Sequence, residues 1–99
     1  MTIKEIMSGE SKNVEFKVAL PEKSIKYMKS VVAFANCSGG KILFGIEDDT
    51  CKVVGIDDEN VFKTMDAITN AISDSCEPAI YPDISLQTIE GKTIIVVEI

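Results

Sequence analysis

Residues 41–46 read KILFGI, and this nearly unbroken apolar run decides the fold class. A run of strand length that is apolar at odd and even positions alike predicts a strand buried on both faces. Such a strand lies inside a sheet, with other elements packed against each side. Gly39 and Gly40 come directly before the run, where they can end a helix and turn the chain into the strand.

A segment reading VEFKV follows the polar N-terminus and alternates apolar and charged side chains. This period of two predicts a half-buried strand. The alternation puts Val14, Phe16 and Val18 on the core face, and it puts Glu15 and Lys17 together on the other face.

The segment from Pro21 to Ala35 has the periodicity of an amphipathic helix. Its predicted apolar stripe consists of Ile25, Met28, Val31, Val32 and Ala35. The opposite side carries lysines at intervals of three residues, namely Lys23, Lys26 and Lys29.

The downstream sequence predicts a hairpin, a second helix and a second hairpin. An acidic turn, residues 47–50, leads into a strand over residues 52–56. Asp57 or Asp58 can cap the helix, whose apolar positions are Val61, Met65, Ile68 and Ile72. Strands over residues 84–89 and 93–99 flank a turn at Glu90-Gly91. The order β-α-β-β-α-β-β predicts an α/β (α+β-like) domain with a mixed sheet and two helices.

The 99 residues, 45% of them hydrophobic and 26% charged, fit one domain over residues 1–99. No apolar run approaches the roughly 18 residues of a membrane span, and the N-terminus lacks a signal-peptide pattern. We therefore expect a cytoplasmic protein without a membrane partner. The chain ends on an apolar strand with no polar tail, so we expect this domain to be the N-terminal part of a longer protein.

The residue types that are missing exclude several kinds of chemistry. The sequence has no histidine, so His-dependent nucleophiles and triads are excluded. It has no arginine, so lysine, hydroxyl or backbone N–H groups would have to contact any phosphate. The cysteines, Cys37, Cys51 and Cys76, match neither a zinc motif nor a disulfide framework, and we expect reduced thiols.

The net charge of −6 argues against a nucleic-acid partner, but the charge is unevenly distributed. Residues 1–41 carry seven Lys against four Glu, or +3, whereas residues 42–99 carry three Lys against twelve acids, or −9. The lysines of the first helix could follow a phosphate backbone, or they could form an ordinary solvated helix face. No aromatic residue interleaves with them beyond Tyr27, so base stacking has little support.

Two carboxylates near the N-terminus form a candidate metal site. Glu10 and Glu15 are five residues apart, and Lys17 lies on the face of Glu15. Carboxylates of this kind can bind Mg²⁺ or Mn²⁺, and the lysine would offset phosphate charge. A third acid would come from the acidic turn, from Glu47, Asp48 or Asp49. The alternative is a surface ion pair on an exposed strand face, worth less than about 1 kcal/mol.

The SGGK segment, residues 38–41, does not form a nucleotide-binding P-loop. The Walker pattern requires a glycine at position 35 and Ser or Thr after the lysine, but this chain has Ala35 and Ile42. ATP is therefore not supported as a cofactor. We interpret the two glycines as a helix stop and tight turn.

Several segments together resemble the Schlafen core domain, which in bacterial proteins is called the Schlafen AlbA-type DNA-binding domain. These segments are ES (10–11), VEFK (14–17), AFAN (33–36), GGKILFGIED (39–48) and VVGI (53–56). The resemblance implies a mixed α/β domain that binds nucleic acid in proteins described as transcriptional regulators, commonly ahead of helix-turn-helix segments. Vertebrate Schlafen relatives are metal-dependent endoribonucleases that use three acids. Carried over to this chain, the first two acids fall on Glu10 and Glu15, and the third falls on Asp48 or its neighbour Glu47, all of them candidate metal ligands.

The resemblance favours a DNA-binding domain of a transcriptional regulator over an enzyme, with DNA preferred to RNA. The predicted nucleic-acid contacts are Lys12, Lys17, Lys23, Lys26, Lys29, Gly39 and Gly40. Two alternatives stay open: a metal-dependent endoribonuclease with Mg²⁺ or Mn²⁺, and a protein-interaction or dimerisation module. A homodimer is compatible with each of these functions.

Overall fold

The structure is a computed structural model that describes residues 4, 6, 8–11, 13–21, 23, 25–75 and 81–99. The main helices are α1, Ile25–Ala35, and α2, Val61–Ser75. The strands are β1, Val14–Lys17, β2, Lys41–Phe44, β3, Asp83–Ile89, and β4, Lys92–Glu98. They form one mixed sheet in the order β1-β2-β4-β3. The predicted fold class, a mixed sheet with two helices, is confirmed.

The two interior strands of the sheet are β2 and β4. β1 and β2 run parallel and are joined through α1, whereas β4 runs antiparallel to both β2 and β3. The side chains of Ile42, Leu43 and Phe44 have no exposed surface, which confirms the prediction of a strand buried on both faces. Glu90 and Gly91 have φ angles of 52° and 76°, as a two-residue turn between β3 and β4 requires.

The sheet has a hydrophobic core on each face. Both helices cover one face, and the buried side chains there are Tyr27, Met28, Val31, Phe34, Ile42, Phe44, Val61, Ile68, Ile72, Ile95 and Val97. The core on the other face consists of Ile6, Phe16, Leu43, Ile46, Val53, Ile89, Ile94 and Val96. Ile6 is completely buried there, and residues 4 and 6 are helical, although the sequence predicted only a polar N-terminus.

The buried stripe of α1 differs from the predicted one. Tyr27 and Phe34 belong to it with Met28 and Val31, whereas Val32 is 41% exposed. Ala35, also predicted to be buried, is exposed, and the side chain of residue 25 lies outside the described part. The Tyr27 ring meets the edge of the Phe44 ring at a centroid distance of 5.6 Å and an angle of 88°. The aromatic rings bury more apolar surface than the small side chains would, so they determine which way the helix faces.

The segment over residues 52–56 forms a single bridge, between Ile46 and Val53, and no strand of the sheet. Cys51 and Gly55 have φ angles of 59° and 85°, so extended backbone is interrupted on both sides of Val53. The carbonyl of Gly45 accepts hydrogen bonds from Val54 and Gly55, at 2.8 and 2.9 Å, in place of a regular ladder. These left-handed conformations explain why an apolar run did not become a strand.

The helix α2 begins at Val61, directly after Asn60, so neither Asp57 nor Asp58 is the residue next to its first turn as predicted. An Asp57 side-chain oxygen accepts the Glu59 N–H at 3.2 Å in the turn before the helix, which identifies Asp57 as the aspartate that stabilises this turn. Val61, Ile68 and Ile72 are buried, as their spacing predicted. No helix in the described part of the chain is long and apolar enough to cross a membrane.

Candidate functional site

Glu15 connects β1 to α1 through a short hydrogen bond. The Ser30 hydroxyl donates to Glu15 Oε1 at 2.7 Å, while Glu15 Oε2 is buried without a hydrogen-bond partner. The Lys17 ammonium lies 3.8 Å from that second oxygen. Glu15 therefore lies against α1, and the Glu15–Lys17 ion pair is partly covered, with 27% and 29% of the two side chains exposed. Phe16 packs in the core on the opposite face of the sheet.

The Ser30–Glu15 bond sets the position of the α1 lysines relative to β1. In a parallel strand–helix–strand unit the helix runs back along the strands. Lys26 precedes Ser30 by one helical turn, about 6 Å, and Lys17 follows Glu15 by two strand residues, about 6.6 Å. Both steps lead towards the same end of the unit, so Lys17 and Lys26 lie at a similar height on neighbouring elements.

Two further lysines extend this group. Lys23 is exposed in the turn before α1, where its carbonyl accepts the Lys26 N–H at 3.1 Å. Lys26 and Lys29 are exposed on α1. We call Lys17, Lys23, Lys26 and Lys29 the basic patch. The fifth predicted lysine, Lys12, lies outside the described residues.

Glu10 is bound to the outer edge of β1. Its Oε2 accepts the Phe16 N–H at 2.8 Å, and Ser11 pairs with Val14 through two backbone hydrogen bonds of 3.1 and 3.3 Å. These contacts occupy backbone groups that an edge strand otherwise presents to solvent. We call this edge, with Glu10 and Ser11 bound to it, the capped edge.

The predicted metal-binding acids lie on different parts of the fold. Glu10 is on the capped edge and Glu15 is under α1, while Glu47 and Asp48 are in the turn after β2. Glu47 holds that turn through backbone hydrogen bonds of 2.9 Å to Lys52 and Cys51. Within the described residues, no three Asp, Glu, Cys or His side chains are grouped so that they could hold a metal ion. The metal-binding and catalytic roles of the four acids therefore stay predictions.

The glycines at the end of α1 have tight packing roles. Gly39 has a φ of 92° and donates its N–H to the Phe34 carbonyl at 3.0 Å, and a Cβ there would lie 2.7 Å from the Ile99 carbonyl oxygen. A Cβ on Gly40 would lie 2.6 Å from the Phe34 ring. The structure thus agrees with the helix-stop interpretation. The contact of Gly39 and Gly40 with phosphate stays a prediction.

A cleft of about 510 Å³ opens beside these glycines. Its walls come from three places in the chain: residues 8–11 with 13 and 14, residues 38–41, and residues 98 and 99. Lys41 lines this cleft, and its ammonium lies 3.7 Å from the Glu98 carboxylate. Sequence reasoning identified neither Lys41 nor Ser30 as a site residue, because a lone lysine or serine has no distinctive spacing.

Tyr27, the aromatic residue among the α1 lysines, takes no part in this surface. Its side chain is 2% exposed, and burial raises the pKa of its hydroxyl above the ordinary value of 10.0. Since its ring packs on Phe44, it is not accessible for stacking on a base.

Known structures and sequences share this architecture. The N-terminal domain of a RecG-related protein from Nitrosomonas europaea, named after the ATP-dependent DNA helicase RecG, superimposes with a TM-score of 0.66 at 25% identity. That match covers 98% of this chain and 71% of the other. A Corynebacterium diphtheriae protein of known structure has the same fold, with a TM-score of 0.62 at 19% identity over 97% of this chain and 21% of its own.

A curated relative from Ureaplasma parvum, named an uncharacterized ATP-binding protein, is 34% identical over 77 residues. The match covers 76% of this chain but only 22% of that relative's length. Residues 10–99 match the family model described as Schlafen, AlbA_2, which includes every element of the sheet and both main helices. The chain belongs to the Schlafen, AlbA_2 family.

Proposed function

We propose that this domain binds nucleic acid, DNA in preference to RNA, as the DNA-binding part of a transcriptional regulator. The observation that supports the proposal is the Ser30–Glu15 hydrogen bond, because it joins α1, which carries Lys26 and Lys29, to the strand that carries Lys17. If these lysines act as one basic surface, the local charge matters more for binding than the overall charge of −6. The similarity to a protein named after a DNA helicase supports DNA as the ligand.

The chemistry of the basic patch favours contacts with phosphates over contacts with bases. Lysine is a compact point charge and lacks the planar fork with which arginine binds guanine or phosphate. The buried Tyr27 ring leaves the patch without a stacking platform. We therefore expect binding with weak sequence preference and strong salt dependence.

The number of lysine–phosphate contacts predicts how strongly salt weakens the binding of DNA. With four phosphate contacts, the slope of log affinity against log salt concentration is about −3.6, which corresponds to roughly a hundredfold loss between 50 and 200 mM salt. Removing two of the four lysines should reduce the slope to about half of its value.

The test compares two double charge reversals by fluorescence anisotropy with a labelled DNA duplex at two salt concentrations. K26E/K29E alters the basic patch, whereas K52E/K63E alters two exposed lysines in the acidic part of the chain. Both variants change the net charge equally, so only a local effect distinguishes them. We expect K26E/K29E to abolish binding and K52E/K63E to weaken it only slightly. Equal effects of the two reversals would contradict the proposal.

The contacts of Glu10 and Glu15 favour binding over metal-dependent cleavage. Each carboxylate forms a structural hydrogen bond, one with the β1 backbone and one with Ser30. Incubation with labelled transfer RNA, with Mn²⁺ or with a chelator, distinguishes the two functions. Metal-dependent cleavage that disappears in both E10A and E15A would replace the binding proposal with the endoribonuclease. The expected result is binding without cleavage.

A further inference from the structure

In the described part of the chain, no strand pairs with the outer edge of β3, in contrast to the capped edge of β1. β3 is the last strand of the sheet and pairs with β4 alone. Among the described residues, none outside β4 forms a backbone hydrogen bond with Ile84, Leu86 or Thr88. The strand reads DISLQTI, and it has neither the lysine nor the proline that commonly protects an exposed edge.

The register shows which backbone groups point outward from this edge. In a two-residue hairpin the residues that flank the turn, here Ile89 and Lys92, exchange hydrogen bonds with each other. Since hydrogen-bonded and non-bonded pairs alternate, Ile84, Leu86 and Thr88 direct their N–H and C=O groups away from β4. Thr93, which pairs with Thr88 on β4, shows the same alternation. Its carbonyl points away from β3 and accepts the Ile56 N–H at 2.7 Å.

We propose that this edge binds the same edge of a second copy of the chain, which extends the sheet to eight strands across a two-fold axis at Leu86. Leu86 is the central residue of β3, so an antiparallel pairing places it opposite Leu86 of the second copy. The same register places Ile84 opposite Thr88 and adds about six backbone hydrogen bonds. The whole length of β3 is used in both copies.

The side chains of β3 suit this self-pairing. Leu86 is 39% exposed although it lies on the helix-covered face of the sheet, opposite the buried Ile95. The second Leu86 would cover it, since directly opposed residues of such a pair share a face. The one charged residue of β3, Asp83, would lie opposite Ile89 of the other copy, so no two like charges are directly opposed.

Analytical ultracentrifugation over a range from about 1 μM to about 1 mM tests the proposal, since edge pairing of this size is expected to be weak to moderate. The monomer has a mass of 10.8 kDa, and we expect a species of twice that mass to accumulate with concentration. L86K places two lysine ammonium groups at the two-fold axis and should raise the dimer dissociation constant about tenfold or more. T88K, at another outward position of β3, should also weaken the dimer.

V18K is the matched control, because Val18 is 51% exposed just beyond β1, at the other side of the sheet. It should dimerise like the unmodified chain. Circular dichroism would check that all three variants fold. Two results would overturn the proposal: a chain that stays monomeric at the highest concentration, or a dimer that L86K and T88K weaken no more than V18K does.

The placement of the axis has its own test. In a background with all three cysteines replaced by serine, L86C should form a disulfide-linked dimer under mild oxidation. The opposed Cα atoms would be about 5.5 Å apart, within the range of a disulfide. V54C, at a position that is 43% exposed elsewhere on the surface, serves as the control. Equal cross-linking of L86C and V54C would contradict an axis at Leu86.

Discussion

Replacing Ser30 with alanine tests the link between β1 and α1. In the folded chain the Ser30 hydroxyl donates to Glu15 Oε1 at 2.7 Å, and Glu15 Oε2 has no hydrogen-bond partner. S30A would therefore leave the carboxylate without a donor, in a position where its side chain is only 27% exposed. The Lys17 ammonium, 3.8 Å away, compensates the charge only in part.

The expected loss follows from the type of bond. A hydrogen bond to a charged group contributes about 1.5–3 kcal/mol when it is well shielded, and partial exposure reduces this to about 1–2 kcal/mol. For a domain of this size, that loss lowers the melting temperature by about 5–12 °C. Alanine is also a better helix former than serine, by up to about 0.5 kcal/mol, which partly offsets the loss.

The matched control for S30A is S73A, an exposed serine in α2 that undergoes the same change in a helix. Urea unfolding of S30A, S73A and the unmodified chain separates the hydrogen bond from the helix propensity. We expect S73A to be at least as stable as the unmodified chain, S30A to be less stable, and S30T, which keeps a hydroxyl, to lie closer to the unmodified chain. DNA affinity should decrease in S30A as well, because the basic patch loses its support. If S30A and S73A were equally stable, the bond would not hold the two elements together.

Two further predictions concern the core. Burial raises the pKa of Tyr27 above 10.0, so the stability that this group contributes is complete below pH 10 and is lost as the pH rises through the higher value in the folded state. Alkaline unfolding followed by circular dichroism should show this loss, and Y27F should reduce it. G40A should destabilise the domain by about 1–3 kcal/mol, since the added methyl group would lie 2.6 Å from the Phe34 ring. Urea unfolding measures this, and F34L should recover part of the loss; additive effects of G40A and F34L would argue against the steric clash.

Local sequence patterns predicted the elements whose burial or backbone conformation depends on their own residues alone. The first four residues of the KILFGI run became β2 because both faces of that strand are buried. Glu90-Gly91 became a hairpin turn because its two left-handed residues fit that turn. The spacing of Val61, Ile68 and Ile72 identified the buried face of α2, since that helix has one clearly apolar side.

The remaining features depend on contacts between distant residues. A period of two separates the two faces of β1, but it does not say that the charged face lies under a helix and that the apolar face meets an N-terminal segment through Ile6. In α1 the spacing predicted a stripe that includes Val32, whereas the stripe observed includes Tyr27, whose ring packs on Phe44 from a distant strand. Ser30 became part of the site only through a partner fifteen residues away, for which the sequence contains no signal.

The capped edge of β1 also limits how far the sheet can be extended. A sheet with two open edges could add copies without end and form a fibre. Here Glu10 and Ser11 already bind the Phe16 N–H and both backbone groups of Val14 on the outer edge of β1, so growth through β3 stops after one addition and leaves a β1 strand at each margin. The same margins carry the two basic patches, far apart on one particle. Such a dimer would bind a long DNA duplex at two places, and neither contact would need a high affinity on its own.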